Sequence, residues 1–223
     1  MIVQIYTLQS VEEALEVESV GIHNIGLAPA SIGLPGEISY ETAKSICDEV
    51  QNSKTVALSV SNNIEEIIEM VMFVKPDILH LCGEPGELNA SRVKILRDRL
   101  QSTDNGIPIM QAISVEDMSA VEFAKEYEDV SDYFILDTST SLVQGVGASG
   151  KVHDWNVSKA IVDSVKIPVI LAGGLSPENV RDAIEKVKPW GVDSLTHTNK
   201  ILDNGDFVKD ITKVRKFFKN ATG

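Results

Sequence analysis

Short apolar runs rich in Ile, Val and Leu alternate with amphipathic stretches along the whole chain. Eight of these runs read as strands: Ile2–Tyr6, Asn24–Ala28, Thr55–Val60, Ile78–Leu81, Ile107–Ile113, Tyr133–Asp137, Ile167–Ala172 and Gly191–Thr196. Several are continuous rather than alternating, the pattern of parallel strands covered on both faces. Between them, segments such as "NIEEIIEMVMFV" carry their apolar residues at helical spacing. Ser10 with Glu13, Asn63 with Glu66 and Ser114 with Asp117 stand at capping-box spacing, and Pro177 suits a first helical position.

Eight strand–helix units in 223 residues leave about 28 residues each, which predicts a single-domain (β/α)8 TIM barrel with parallel strands over residues 1–223. The competing fold is an open doubly wound sheet, but no GxGxxG follows the first strand. No linker, low-complexity tract or repeat divides the chain. A barrel carries its active site at the C-terminal ends of the strands. Those ends are Tyr6, the loop from Pro29 to Gly36, Ser59, His80 with Cys82, Ser114, Asp137, the loop Gly145–Trp155, Gly173–Gly174 and Thr196–His197.

Composition narrows the partners. The chain is 43% hydrophobic and 24% charged with a net charge of −13, which argues against nucleic acid and anionic membrane as partners but leaves room for an anionic small molecule. The opening "MIVQIYTLQSVEEALEV" lacks a basic n-region, and no apolar run approaches a membrane span. Cys47 and Cys82 form neither a disulfide framework nor a zinc module. A cytoplasmic protein, monomeric or homodimeric, is expected.

Candidate chemistry begins with "VILAGGLSPENVRDAI", a strand that passes into a helix through two glycines. Bare N–H groups at that join favour an anion, and barrels commonly hold phosphate after strands seven and eight. A second glycine-rich loop, "GVGASGK", follows strand six and lacks the Walker spacing. Asp137 ends "YFILD", where partial desolvation would raise a carboxyl toward the working pH of a general acid or base.

Taken together, "YFILDTSTS", "GASGKVHDW", "ILAGGLSPENVRDAI", "PWGVD" and "KFFKNA" resemble phosphoribosylanthranilate isomerase, a (β/α)8 enzyme of tryptophan biosynthesis. The resemblance is dense from Asp132 onward and runs in register before it, through "VQIYTLQSVEEALE" and "DILHLCGEPGE". It implies an Amadori rearrangement of an aminoaldose phosphate to an aminoketose phosphate, without cofactor or metal. Asp137 would stand as the acid that protonates the ring oxygen, and Gly147, Gly150, Gly173, Gly174 and Thr196 as the phosphate set.

The sequence departs from the family on the active face. The family's base, a Cys ending strand one, is replaced by Tyr6, whose phenol ordinarily titrates near 10. Its anthranilate-pairing Arg after strand two is replaced by Gly36, followed by Glu37. Strand four reads His80-Leu81-Cys82-Gly83 for Gln-Leu-His-Gly, and Leu195-Thr196-His197 stands for Ser-Ser-Gly. Imidazole suits proton transfer near pH 7, so His80 and His197 join Tyr6 as candidate bases, with His153 and Cys82 behind them. A metal held by His80, Cys82, Asp137 and His197 lacks diagnostic ligand spacing. The expected activity is aldose–ketose isomerisation of a phosphoribosyl (amino)sugar, with both the anthranilate derivative and another substrate left open. A related phosphosugar epimerase or lyase, and a non-catalytic phosphosugar-binding protein, are the alternatives.

Overall fold

The computed structural model describes residues 1–84, 86–102, 106–138 and 153–223. Eight parallel strands close into a barrel in chain order: β1 Ile2–Tyr6, β2 Asn24–Leu27, β3 Lys54–Ser59, β4 Ile78–Leu81, β5 Ile109–Ser114, β6 Tyr133–Asp137, β7 Val169–Leu171 and β8 Gly191–Ser194. Closure is made by β8 against β1, in the register Ile2 with Gly191 through Ile5 with Ser194. Around the barrel lie α1 Val11–Glu18, α2 Tyr40–Glu49, α3 Ile64–Val74, α4 Ala90–Gln101, α5 Ser119–Tyr127, α6 Trp155–Ser164, α7 Val180–Val187 and α8 Ile211–Thr222. A short antiparallel hairpin, β9 Asn199–Ile201 with β10 Phe207–Lys209, interrupts the last connection.

Strand residues alternate between two cores, because successive side chains leave opposite faces of a sheet. Outward-facing residues such as Val3, Ile5, Ile25, Leu79, Phe134 and Val192 pack under the helices. Inward-facing Val56, Ile78, Met110, Ile135 and Ile170 fill the barrel's interior. Some inward positions are polar: Gln4 in the middle of β1, Asn24 at the start of β2, His80 in β4 and Asp193 in β8 are all buried. Burying such groups costs free energy unless they are paired, so their arrangement carries information about the site.

Most helix starts follow the expected chemistry. Ser10 Oγ accepts from Glu13 N at 3.1 Å, while the Glu13 carboxylate turns away to accept from Gln9 N at 2.7 Å, leaving half a capping box. Asn63 caps α3 by accepting from Glu65 N and donates its amide to Glu66 Oε1. Two expectations are corrected. Ser114 closes β5 and caps nothing; Asp117 does that work by accepting from Ser119 N and Ser119 Oγ. Pro177 lies in the turn before α7, which begins at Val180, because Asn179 and Val180 both donate back to Ser176 O.

Candidate active site

The ends of β6, β7 and β8 surround a pocket of about 270 Å³ lined by Asp137, Gly173, Gly174, Asp193, Thr196 and His197 among others. Asp137 is the last residue of β6 and faces inward, half-buried. Burial pushes its carboxyl up to about 7, against the pull of the Thr138 N–H that it accepts at 2.6 Å. A carboxyl poised at that value can hold a proton and release it near neutral pH.

Gly173 and Gly174 leave β7 with φ of 77° and 66°, conformations that L side chains avoid. A Cβ on Gly173 would also lie 2.7 Å from His153 Nδ1 and 2.9 Å from Thr138 Oγ1. His153 is fixed from both sides, with Nε2 2.6 Å from Ser158 Oγ and Nδ1 3.2 Å from Thr138 Oγ1. Burial lowers its imidazole to about 4. His153 therefore braces the floor behind the glycines. The turn after Gly174 is held by Asn179, whose amide donates to Gly174 O and whose Oδ1 accepts from Ser176 N. Thr196 and His197 are exposed on the 3-10 turn after β8, at the rim of the same pocket. Gly147 and Gly150 lie outside the described residues.

Tyr6 and His80 form a separate buried unit. Tyr6 Oη and His80 Nδ1 are 2.9 Å apart, and the rings meet edge to face at 5.6 Å. Burial holds the phenol well above 10 and lowers the imidazole to about 3, so both are neutral at pH 7. Gly26, paired with Tyr6 across β1 and β2, makes this possible: a Cβ there would fall 2.3 Å from the phenol ring. His80 Nε2 is buried without a hydrogen-bond partner among the described residues. Cys82 shares the interior cluster with Tyr6, on the same side as His80, and burial pushes its thiol to about 12. His23 accepts from Val3 N through Nδ1 and belongs to the frame.

Four further buried residues are absent from the candidates that the sequence supplied: Asp193 on the pocket wall, with Gln4, Asn24 and Lys209 around it. Asn24 Nδ2 donates to Gln4 Oε1 at 3.1 Å, and Gln4 Nε2 donates to Asp193 Oδ1 at 3.1 Å. The three are register partners across β2, β1 and β8. Burial, and then the charge of Asp137, push the Asp193 carboxyl up to about 8, opposed by Gln4 and Lys209. Lys209 Nζ donates to Tyr6 O, to Asn199 Oδ1 at 2.6 Å and to Leu195 O at 3.3 Å. Burial brings its ammonium down to about 7, while Glu13 and Asp193 hold it up. The signal for the first three was strand parity: Gln4 stands two residues before Tyr6, and Asp193 two after Gly191, so they face inward together.

The loop after β2 is closed by its own carboxylate. Glu37 Oε2 accepts from Ile32, Gly33 and Leu34 N–H groups at 2.8–2.9 Å. Those bonds lower its pKa, the Ile32 N–H foremost. Gly36 has φ of 68°, and a Cβ there would lie 2.3 Å from Thr7 Oγ1 and 2.8 Å from the Phe207 ring. Among the described residues no group of three His, Cys, Asp or Glu side chains is arranged to hold a metal ion, and no helix is long and apolar enough to cross a membrane.

Comparison with known proteins agrees with this geometry. The family model described as N-(5'-phosphoribosyl)anthranilate (PRA) isomerase matches residues 3–220. The N-(5'-phosphoribosyl)anthranilate isomerase of Methanocella arvoryzae is 36% identical over 157 residues, covering 70% of this chain and 67% of that one. Its counterpart in Haloarcula marismortui is 28% identical over 223 residues, covering 98% and 95%. Among solved structures, generated monomers of the dimeric phosphoribosylanthranilate isomerase of Thermotoga maritima superpose with a TM-score of 0.79 at 26% identity over the full length of both chains. A phosphoribosyl anthranilate isomerase in complex with reduced 1-(o-carboxyphenylamino)-1-deoxyribulose 5-phosphate gives 0.78 at 26% identity, again over both full chains. By the extent of these matches and the closed barrel that carries them, the chain belongs to the N-(5'-phosphoribosyl)anthranilate isomerase family.

Proposed function

We propose that this protein is an aldose–ketose isomerase that opens a phosphoribosyl aminosugar and shifts its carbonyl from C1 to C2 by acid–base catalysis. The observation that carries the reading is Asp137, a carboxyl raised to about 7 on the pocket that also holds Gly173, Gly174 and Thr196. In this reading Asp137 protonates the ring oxygen. The phosphate rests against the backbone at Gly173 and Gly174, with Thr196 and His197 beside it. The relative that binds a reduced aminodeoxyribulose phosphate supports the same substrate class.

The amine's substituent is the point of difference. No cation can be placed at residue 36 without displacing Thr7 and Phe207, and Glu37 is consumed by its own loop. Both favour a substituent that lacks the carboxylate of anthranilate. Tyr6 and His80, neutral and bonded to each other, wall the interior beside the site.

The test is turnover of phosphoribosylanthranilate, followed by loss of fluorescence, beside phosphoribosylaniline, with Asp137→Asn as control. Turnover that favours the aniline derivative and falls about 10²–10⁴-fold in the variant is expected. Equal rates for wild type and Asp137→Asn would remove Asp137 as the acid. No turnover of either compound by folded protein would overturn the isomerase reading.

A further inference from the structure

Asp193 is 6% exposed and lines the same pocket as Asp137, Gly173 and Gly174. Its Oδ1 accepts from Gln4, and its Oδ2 accepts no hydrogen bond from any described residue. That oxygen is an acceptor on the pocket wall that no described residue satisfies. Its neighbour is held just as deliberately. Gln4 is fully buried and Asn24 nearly so, and in parallel register they pass one amide bond to the next until the last meets this carboxyl. A buried amide ladder that ends on one carboxyl orients that group, as outer contacts orient catalytic side chains elsewhere.

We propose that Asp193 is the base that removes the C2 proton, taking the part left vacant where Tyr6 occupies the end of β1. The inference rests on the isomerase reading and deepens it. The steps balance within the pair of carboxyls. Asp137 gives its proton to the ring oxygen, the C1–O bond breaks, and the nitrogen lone pair forms C1=N. Asp193, as carboxylate, takes the proton from C2. The C2–H electrons become C1=C2, and the C1=N pair returns to nitrogen, leaving an enaminol. The C2 hydroxyl then loses its proton to Asp137 while Asp193 returns its own to C1, giving the ketone and both carboxyls in their starting states. No oxidant or metal enters.

Two carboxyls on one small pocket repel each other as anions, so the pair favours one proton shared between them; the first step draws on the form that carries it on Asp137 with Asp193 ionised. The other groups around Asp193 are compatible with that state. Gln4 on β1 donates to it, Lys209 on β10 stands as the nearby cation, and Tyr6 is kept neutral in part by Asp193 itself. The three groups proposed from sequence alone are less well placed. Tyr6 and His80 are tied to each other, and His197 is exposed at the rim.

The experiment uses Asp193→Ala, with whichever phosphoribosyl amine the wild type turns over, in deuterated water. Wild type is expected to place solvent deuterium at C1 of the product to the extent that the proton held on Asp193 exchanges before it is returned. The variant is expected to lose about 10²–10⁴-fold in kcat, to bind the reduced aminodeoxyribulose phosphate within a few-fold of wild type, and to regain part of its rate with added formate. Formate rescue is a response that a structural role would not give. Should alanine unsettle the barrel, Asp193→Asn keeps the bond from Gln4 and is expected to show the same loss. Undiminished kcat in either variant, a loss of ligand binding equal to the loss of rate, or failure of formate to restore any rate would overturn the assignment. Inert wild type would instead take down the isomerase reading on which it stands.

Discussion

Gly26 shows how a single missing side chain shapes the site. The Tyr6 ring occupies the space that a Cβ at residue 26 would need, and that placement lets the phenol reach His80 on β4. Overpacking of this kind typically costs about 1–3 kcal/mol. Gly26→Ala is therefore expected to lower the urea midpoint by a corresponding amount, and a smaller residue at position 6 is expected to recover most of it in the double variant. Simple additivity of the two changes would show that the ring and the glycine are not in contact. Strand parity made the inward direction of Tyr6, His80 and Cys82 legible in the sequence. Their mutual bonding was not, because residues 6 and 80 lie on strands that are not neighbours and their side chains meet only across the interior of the closed barrel.

At the scale of elements, all eight strands were legible, with ends that fall within two residues of those observed. Long apolar runs bounded by turn residues leave little freedom in a parallel sheet covered on both faces. The helix starts were legible where a Ser, Asn or Asp directly precedes the helix, and misread at Ser114 and Pro177, where a turn intervenes. The β9–β10 hairpin was not legible, since its two strands have three residues each and an exposed face. Its weight falls on Lys209, whose ammonium satisfies Tyr6 O and Asn199 Oδ1. Lys209→Met would leave those buried acceptors unpaired at about 1–3 kcal/mol each. Chemical denaturation is expected to show that loss, together with a weakened hold on phosphate ligands through the Thr196 turn. An unchanged denaturation midpoint would show that the hairpin is not anchored there.

For the molecule as a whole, the two raised carboxyls predict how stability follows pH. Asp137 and Asp193 are shifted from near 3.8 to about 7 and about 8 by burial, and for Asp193 also by the neighbouring charge. Between about pH 4 and pH 7 the folded state therefore holds protons that the unfolded chain has released, so both groups make stability fall as pH rises through that window. Lys209 acts in the other direction only above about 7, where the unfolded chain still binds its proton and the folded state does not. Melting temperatures from pH 5 to pH 7 are expected to decline more steeply for wild type than for Asp193→Asn, with the variant the more stable at pH 7. Parallel curves would show that Asp193 titrates normally. The stability given up at these two carboxyls is the ordinary companion of an active site that needs reactive groups out of water. Lys209 adds an order to assembly. Synthesis from the N-terminus delivers all eight barrel strands before it delivers the ammonium that Tyr6 O, Leu195 O and Asn199 share. The contacts that close the mouth of the barrel at Tyr6 and Leu195 therefore come from a residue made after the whole sheet, and only α8 follows it in the chain.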